Sequence, residues 1–238
     1  MKKRIFFISL LLTFACKNQA EPLDYTVHYY GALKNFMHKN DLSAQVDLKD
    51  FADSSHVYGL GALADLKGEV LIWDGEPYIS HEKEGAVKID SSFDYEAGLF
   101  VYSRVSDWQT TSIPNHISDY EALEGFIAKT AAEQGIDTTA PFPFLITGTC
   151  KTLDWHVINW PTGDSEHTHQ KHKTSGPHGQ ITNESIDILG FYSDSHQAIF
   201  THHTTNMHLH FKTLDHTLAG HVDGLSLDRG KLRLPVAN

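Results

Sequence analysis

The chain has 238 residues, 40% hydrophobic and 21% charged, with a formal net charge of −11. That length supports one large domain or two small ones with a real core, and the composition is ordinary for a globular protein. No basic stretch lies beyond the N-terminus, so no nucleic-acid partner is expected. The unusual feature is histidine: there are 17, twelve of them between His156 and His221.

Residues 1–16 read as a signal peptide. Lys2, Lys3 and Arg4 precede an apolar run from Ile5 to Ala15, too short to span a bilayer in a mature protein. The run ends at Thr13-Phe14-Ala15-Cys16, which resembles a bacterial lipoprotein signal with Cys16 as the lipidated residue. Thr13 stands where an aliphatic residue is usual, and an ordinary secretory cleavage is the alternative. Either way the protein is expected to be exported, as a periplasmic protein or a membrane-anchored lipoprotein. Residues 17–24 read as a polar tether and 25–238 as the folded domain. After Cys16 only Cys150 remains, so the domain is not expected to rely on a disulfide.

Val27 to Met37 reads as a strand leading into a short helix, and Asp47 to Phe51 as a short helix or turn. From His56 to Ile79 the pattern is an antiparallel meander, with turns at Asp65–Gly68 and at Asp74-Gly75, a hairpin signal. Glu69 opens the strand Glu69–Trp73, and on pattern alone it reads as exposed. Residues 86–113 hold further strands, notably Gly98–Ser103. Ser118 to Gln134 is the one clear helix, capped by Ser118 with Glu121 three residues on and stopped at Gly135. Leu123, Phe126, Ile127 and Thr130 define its apolar face. Phe142 to Cys150 is an apolar strand, continued by alternation through Leu153, Trp155, Val157 and Ile158. Residues 161–180 read as a solvated polar loop. Its His167, His169, His172 and His178 suggest as the alternative a second, weaker metal site or a lid. Ile186 to Phe200 reads as two strands around Tyr192-Ser193-Asp194.

Next comes Met207-His208-Leu209-His210-Phe211, then a polar turn, then Gly220-His221-Val222. In a strand, alternate side chains share a face. His208 and His210 would therefore lie together, about 7 Å apart along the strand, with Leu209 on the other side. A returning strand brings Leu218 and His221 back beside them. Three imidazoles with an open fourth position make a common layout for a catalytic divalent metal.

These residues carry a family resemblance. His208-Leu209-His210-Phe211 followed by Gly220-His221-Val222 is similar to the His-x-His strand, short turn and Gly-Gly-His-Val of the α-acetolactate decarboxylases. Gly61 to Tyr78 resembles that family's block around Leu-Asp-Gly-Glu-Leu-Ile, and Ile146-Thr147-Gly148 matches its Ile-Asp-Gly. The resemblance covers most of residues 55–235. It implies an α+β fold of two β-rich halves, a mixed sheet and a barrel-like sheet with few helices, and a metal site at their junction. It implies His208, His210 and His221 as ligands of Zn2+ or another divalent transition metal, and Glu69 as an active-site carboxylate. The implied reaction is decarboxylation of 2-acetolactate, a 2-hydroxy-3-keto acid, to acetoin and CO2.

Two departures stand out. Leu145 occupies the position aligned with a family Arg expected to face the substrate, and the sequence ends at Leu234-Pro235-Val236-Ala237-Asn238 without the family's C-terminal Glu. His202, His203 or Lys212, near the metal strand in sequence, are candidates to replace the cation. The alternative function is an exported His-rich metal-binding lipoprotein with the fold but no, or altered, activity. Substrate-binding residues and oligomeric state, a homodimer included, are left open.

Overall fold

Short runs of alternating apolar and polar residues, punctuated by Gly, Asn and Asp turns, write most of this fold as antiparallel sheet. The computed structural model describes residues 25–117 and 119–236. The signal segment 1–16, the tether 17–24 and the expected cap Ser118 lie outside them.

In chain order the strands and helices are β1 (His28–Tyr30), α1 (Leu33–Lys39), β2 (Val46–Asp47), β3 (Val57–Leu63), β4 (Glu69–Trp73), β5 (Glu76–Lys83), β6 (Ala86–Asp90), β7 (Glu96–Arg104) and β8 (Trp108–Ile113). There follow α2 (Tyr120–Glu133), β9 (Phe142–His156), α3 (His169–Thr174), β10 (His178–Thr182), β11 (Ser185–Tyr192), β12 (Met207–Thr213) and β13 (Ala219–Pro235). The first sheet runs β1-β7-β3-β4-β5-β6, with β2 also on β7. The second runs β10-β9-β11-β12-β13-β8, and β13 pairs again with β9, so β9, β11, β12 and β13 close into a ring. Two β-rich halves with few helices are as expected. All pairings between named strands are antiparallel, where a mixed sheet was expected, because no helical crossover links neighbouring strands.

The β3-β4-β5 meander forms as read. Asp74 and Gly75 take φ of 53° and 85°, the two left-handed positions of a type I′ hairpin turn, which suit Asp-Gly. Leu48–Phe51 is a single 3-10 turn. The helix α2 buries Leu123, Ile127, Thr130 and Ala131, a stripe at helical spacing. Its N-cap is Asp119, whose side chain accepts from the Ala122 amide at 2.8 Å. The expected loop 161–180 is shorter than read. Thr168 caps α3 by accepting from the Lys171 amide, and β10 pairs along β9. Only one strand forms between Ile186 and Phe200. The segment after Tyr192 turns on Ser193, whose Oγ lies 2.8 Å from His196 Nδ1.

Three apolar clusters hold the fold. Phe144, Ile146, Leu209 and Phe211 pack with α2 inside the second sheet. Leu60, Leu71, Leu145 and Leu189 pack between the sheets. Val70, Ile72 and Phe100 pack behind the first sheet.

Candidate metal centre

The strand β12 alternates as its sequence requires. Leu209 and Phe211 enter the core with α2, and His208 and His210 point the other way. His210 pairs directly with His221 on β13. On its other side β13 packs closely on β9, which Gly220 permits, since a Cβ there would sit 2.7 Å from the His156 carbonyl oxygen. Ring centroids lie 5.0 Å apart for His208–His210, 5.2 Å for His208–His221 and 5.4 Å for His210–His221. One ring nitrogen of each lies within 4.8 Å of the others.

Glu69 faces this triad from the first sheet. It is buried (4% exposed), not exposed as pattern alone suggested, because β4 begins against the second sheet. Its Oε2 is 3.6 Å from His210 Nε2, and its Oε1 accepts the Ile158 amide at 3.1 Å. His156, at the end of β9, has Nε2 3.7 Å from the same carboxylate and Nδ1 2.8 Å from Asp223 Oδ2. The β9–β13 register skips Asp223, between Val222 and Gly224. A bulge of this kind re-aims a side chain, here toward His156. Lys173 from α3 holds the other Asp223 oxygen at 3.3 Å.

Burial sets the protonation states. It raises the Glu69 carboxyl well above the usual range, the Ile158 hydrogen bond offsetting only part. It pushes His208 and His210 well below theirs, and His156 down to about 4 despite its bond to Asp223. Burial also pushes Asp223 up, but hydrogen bonds with His156 and His221 outweigh that and hold it ionised. Neutral His156 therefore donates Nδ1–H to Asp223 and turns Nε2 to Glu69.

The donor set fits a divalent transition metal. Both ring nitrogens of His210 are buried without a hydrogen-bond partner, a costly state for polar atoms. Neutral imidazoles are the form that binds metal, and His208, His210 and His221 would hold it. A second group, His156, His221 and Asp223, shares His221 with the first.

A cavity of about 390 Å3 opens onto these groups, within the roughly 300–1,000 Å3 of small-molecule sites. One wall carries Glu69, His156, His208 and His221; the other is apolar, with Phe36, Leu66, Leu99 and Phe200. A larger open groove beside Lys67, Glu82 and Asp94 contains none of the clustered histidines.

The structure sorts the remaining candidates. Leu145 is buried between the sheets (1% exposed) and does not line the cavity, so it does not stand where a substrate-facing cation would. Of the proposed replacements, only His202 lines the cavity. Lys212 is committed elsewhere, 2.8 Å from Asp187 and over the rings of Trp73 and Tyr78. His169, His172 and Lys173 line the mouth, being i, i+3 and i+4 on α3 and so on one helix face. His167 stacks on Trp160 at 4.3 Å and bonds His172 at 2.8 Å. His178 is exposed on β10.

His156, Asp223 and Lys173 are the site residues missed from sequence. The helical spacing of Lys173 with His169 was a usable signal. The pairing of His156 with His221 arises from ring closure between distant strands and leaves no local trace.

The family model described as Alpha-acetolactate decarboxylase matches residues 30–238. Among solved structures, the alpha-acetolactate decarboxylase of Bacillus subtilis strain 168 superposes with a TM-score of 0.72 at 15% identity, covering 88% of this chain and 85% of that one. The acetolactate decarboxylase of Bacillus subtilis subspecies spizizenii gives the same values. A Staphylococcus aureus protein of unknown function, similar to alpha-acetolactate decarboxylase, gives 0.68 at 16% identity over 87% and 84%. At such identities these likenesses show a shared fold. No curated protein matches the sequence. On the match across most of its length, the chain belongs to the alpha-acetolactate decarboxylase family.

Proposed function

We propose that the protein is a metal-dependent carboxy-lyase that converts 2-acetolactate, or a close 2-hydroxy-3-keto acid, to acetoin and CO2. The observation that carries this is the meeting of His208, His210 and His221 with a buried carboxyl, Glu69, from the opposite sheet. A divalent cation held by the three histidines, Zn2+ above all, supplies Lewis-acid stabilisation of oxyanion charge.

The residues do the rest. As the bond to the carboxylate carbon breaks, its electron pair passes to the neighbouring ketone, giving an enediolate. Loss of CO2 leaves a carbon that needs one proton. Glu69, kept protonated by burial, is the donor. His156 Nε2 beside it relays the replacement proton, with Asp223 fixing the ring. Lys173 at the mouth attracts the substrate carboxylate, and the apolar wall excludes water and receives the substrate methyls.

A second reading is a metal-binding protein with this fold and no decarboxylase chemistry. The histidines at the mouth favour it; the burial of Glu69 against His210 favours the enzyme. Acetoin release from racemic acetolactate by residues 21–238, with Zn2+ and after chelation, separates them. Zinc-dependent release supports the enzyme; no release with zinc bound supports the second reading.

We also infer export, with Cys16 lipidated, from residues 1–16 alone. Labelled fatty acid should enter the wild type and not Cys16→Ser; equal labelling, or none in either, counts against the anchor.

A further inference from the structure

A second group of imidazoles stands at the cavity mouth, apart from the deep triad. His169 is the first residue of α3, and its ring lies 4.4 Å from His202. His203 lies 4.1 Å from His202. The three rings therefore form one continuous patch, within a small side-chain rotation of sharing a cation. We propose that His169 and His202, with His203 beside them, form a second, weaker site for a divalent transition cation that bridges the two sides of the mouth.

The chemistry suits this assignment. Imidazoles without carboxylates favour zinc, copper or nickel over calcium or magnesium. His169 and His203 are exposed, so a cation reaches them from solvent. Burial holds His202 down to about 4, reinforced by His169 and His203, and lowers His169 as well. Both rings are therefore neutral at neutral pH, the form that binds metal. His202 is anchored through Nδ1, which accepts the Thr204 amide at 3.4 Å and lies 2.8 Å from Thr204 Oγ1, so Nε2 is the atom left to bind a cation in place of its proton. A hydrogen bond on the other nitrogen is what orients metal-binding histidines generally.

The site is weaker than the deep triad for two reasons. Its rings sit on exposed segments that lose side-chain freedom on binding. Lys173, one turn along α3 from His169, adds a positive charge nearby, its influence reaching both His169 and His202. His169 and His202 lie 33 residues apart in sequence, on α3 and on the connection before β12. A cation bound to both would tie α3 to that connection across the cavity.

The bland alternative is that these rings merely stack as solvated surface histidines. The two sites are separable, so the proposal does not depend on the decarboxylase reading. The full-length chain, stripped of metal, is titrated with Zn2+ by calorimetry. Two phases are expected in the wild type. His169→Ala/His202→Ala should lose the weak phase and keep the tight one. His208→Ala/His210→Ala should lose the tight phase and keep the weak one, which guards against a variant that fails to fold. A single phase in the wild type, or a weak phase unchanged in His169→Ala/His202→Ala, overturns the proposal.

Discussion

Glu69 Oε2, on the first sheet, lies 3.6 Å from His210 Nε2, on the second. Each sheet carries half of the candidate site, so the packing of the two sheets is what brings the carboxyl to the histidines. Glu69 and His210 are both buried, and each has its charged form disfavoured by that burial. The pair is therefore a neutral acid beside a neutral imidazole, with Glu69 lining the cavity and His210 buried behind it.

Asp223 positions His156 through the 2.8 Å bond to Nδ1. Asp223→Ala leaves a buried donor without a partner, at a cost of roughly 1–3 kcal/mol in stability. Turnover should fall about 10–100-fold, as when outer partners of site residues are lost, and zinc should bind more weakly because Asp223 also bonds His221. Asp223→Asn keeps an acceptor and should recover part of the loss. Steady-state kinetics with metal analysis on each variant decides it; unchanged kcat/KM in Asp223→Ala would remove the positioning role.

The pH dependence of apoprotein stability follows from the buried histidines. His156 titrates at about 4 in the folded chain and near 6.5 when unfolded. A folded value below the unfolded one means the unfolded chain binds more protons in between. Stability from this group is therefore full above pH 6.5 and lost as pH falls toward 4. The loss from pH 7 to 5 is roughly 2 kcal/mol, and His208 and His210 add losses of the same sign. Glu69, raised instead, acts in the opposite sense, its stability present below the normal carboxyl range and lost as pH rises. Urea denaturation in chelator at pH 7 and pH 5 should show His156→Gln losing less than the wild type. An equal loss in both contradicts the buried, neutral His156.

Restoring a cation at Leu145 should not restore a substrate contact. Leu145 packs against Leu189 and Leu60 between the sheets. Leu145→Arg places an unpaired charge there and should destabilise by more than about 3 kcal/mol, with no gain in kcat/KM in the surviving protein. A stable variant with higher kcat/KM would show that the position does face substrate.

Gly220→Ala tests how tightly β13 must approach β9. The added methyl would meet the His156 carbonyl at 2.7 Å, pushing β13 off β9 and shifting His221 from its place in the triad. Overpacking of this kind costs about 1–3 kcal/mol, and zinc affinity should fall with it. Unchanged affinity by competition with a chelating dye would mean the strands have slack.

Much of this was legible in the residues. The alternation of Met207–Phe211 put His208 and His210 on one face, and Asp74-Gly75 marked its hairpin. Those signals are local, because strand period and turn chemistry act over a few residues. Glu69 was the reverse. Its neighbours made it look like an exposed strand start, and only the family resemblance placed it with the three histidines, because its burial comes from a sheet distant in sequence. His156 and Asp223 escaped because a bulge and a long-range ring closure aim them. The helix α3 escaped because its six residues are polar throughout, and its one-sidedness lies in which groups face the cavity.

The most direct test measures bound zinc and acetoin release on the same samples of wild type, Glu69→Gln and His210→Ala. Zinc and turnover are expected in the wild type, and zinc without turnover in Glu69→Gln, with a loss of about 10²–10⁴-fold. Neither is expected in His210→Ala. Full turnover in Glu69→Gln, or turnover in metal-free His210→Ala, would contradict a reaction run at the junction of the two sheets.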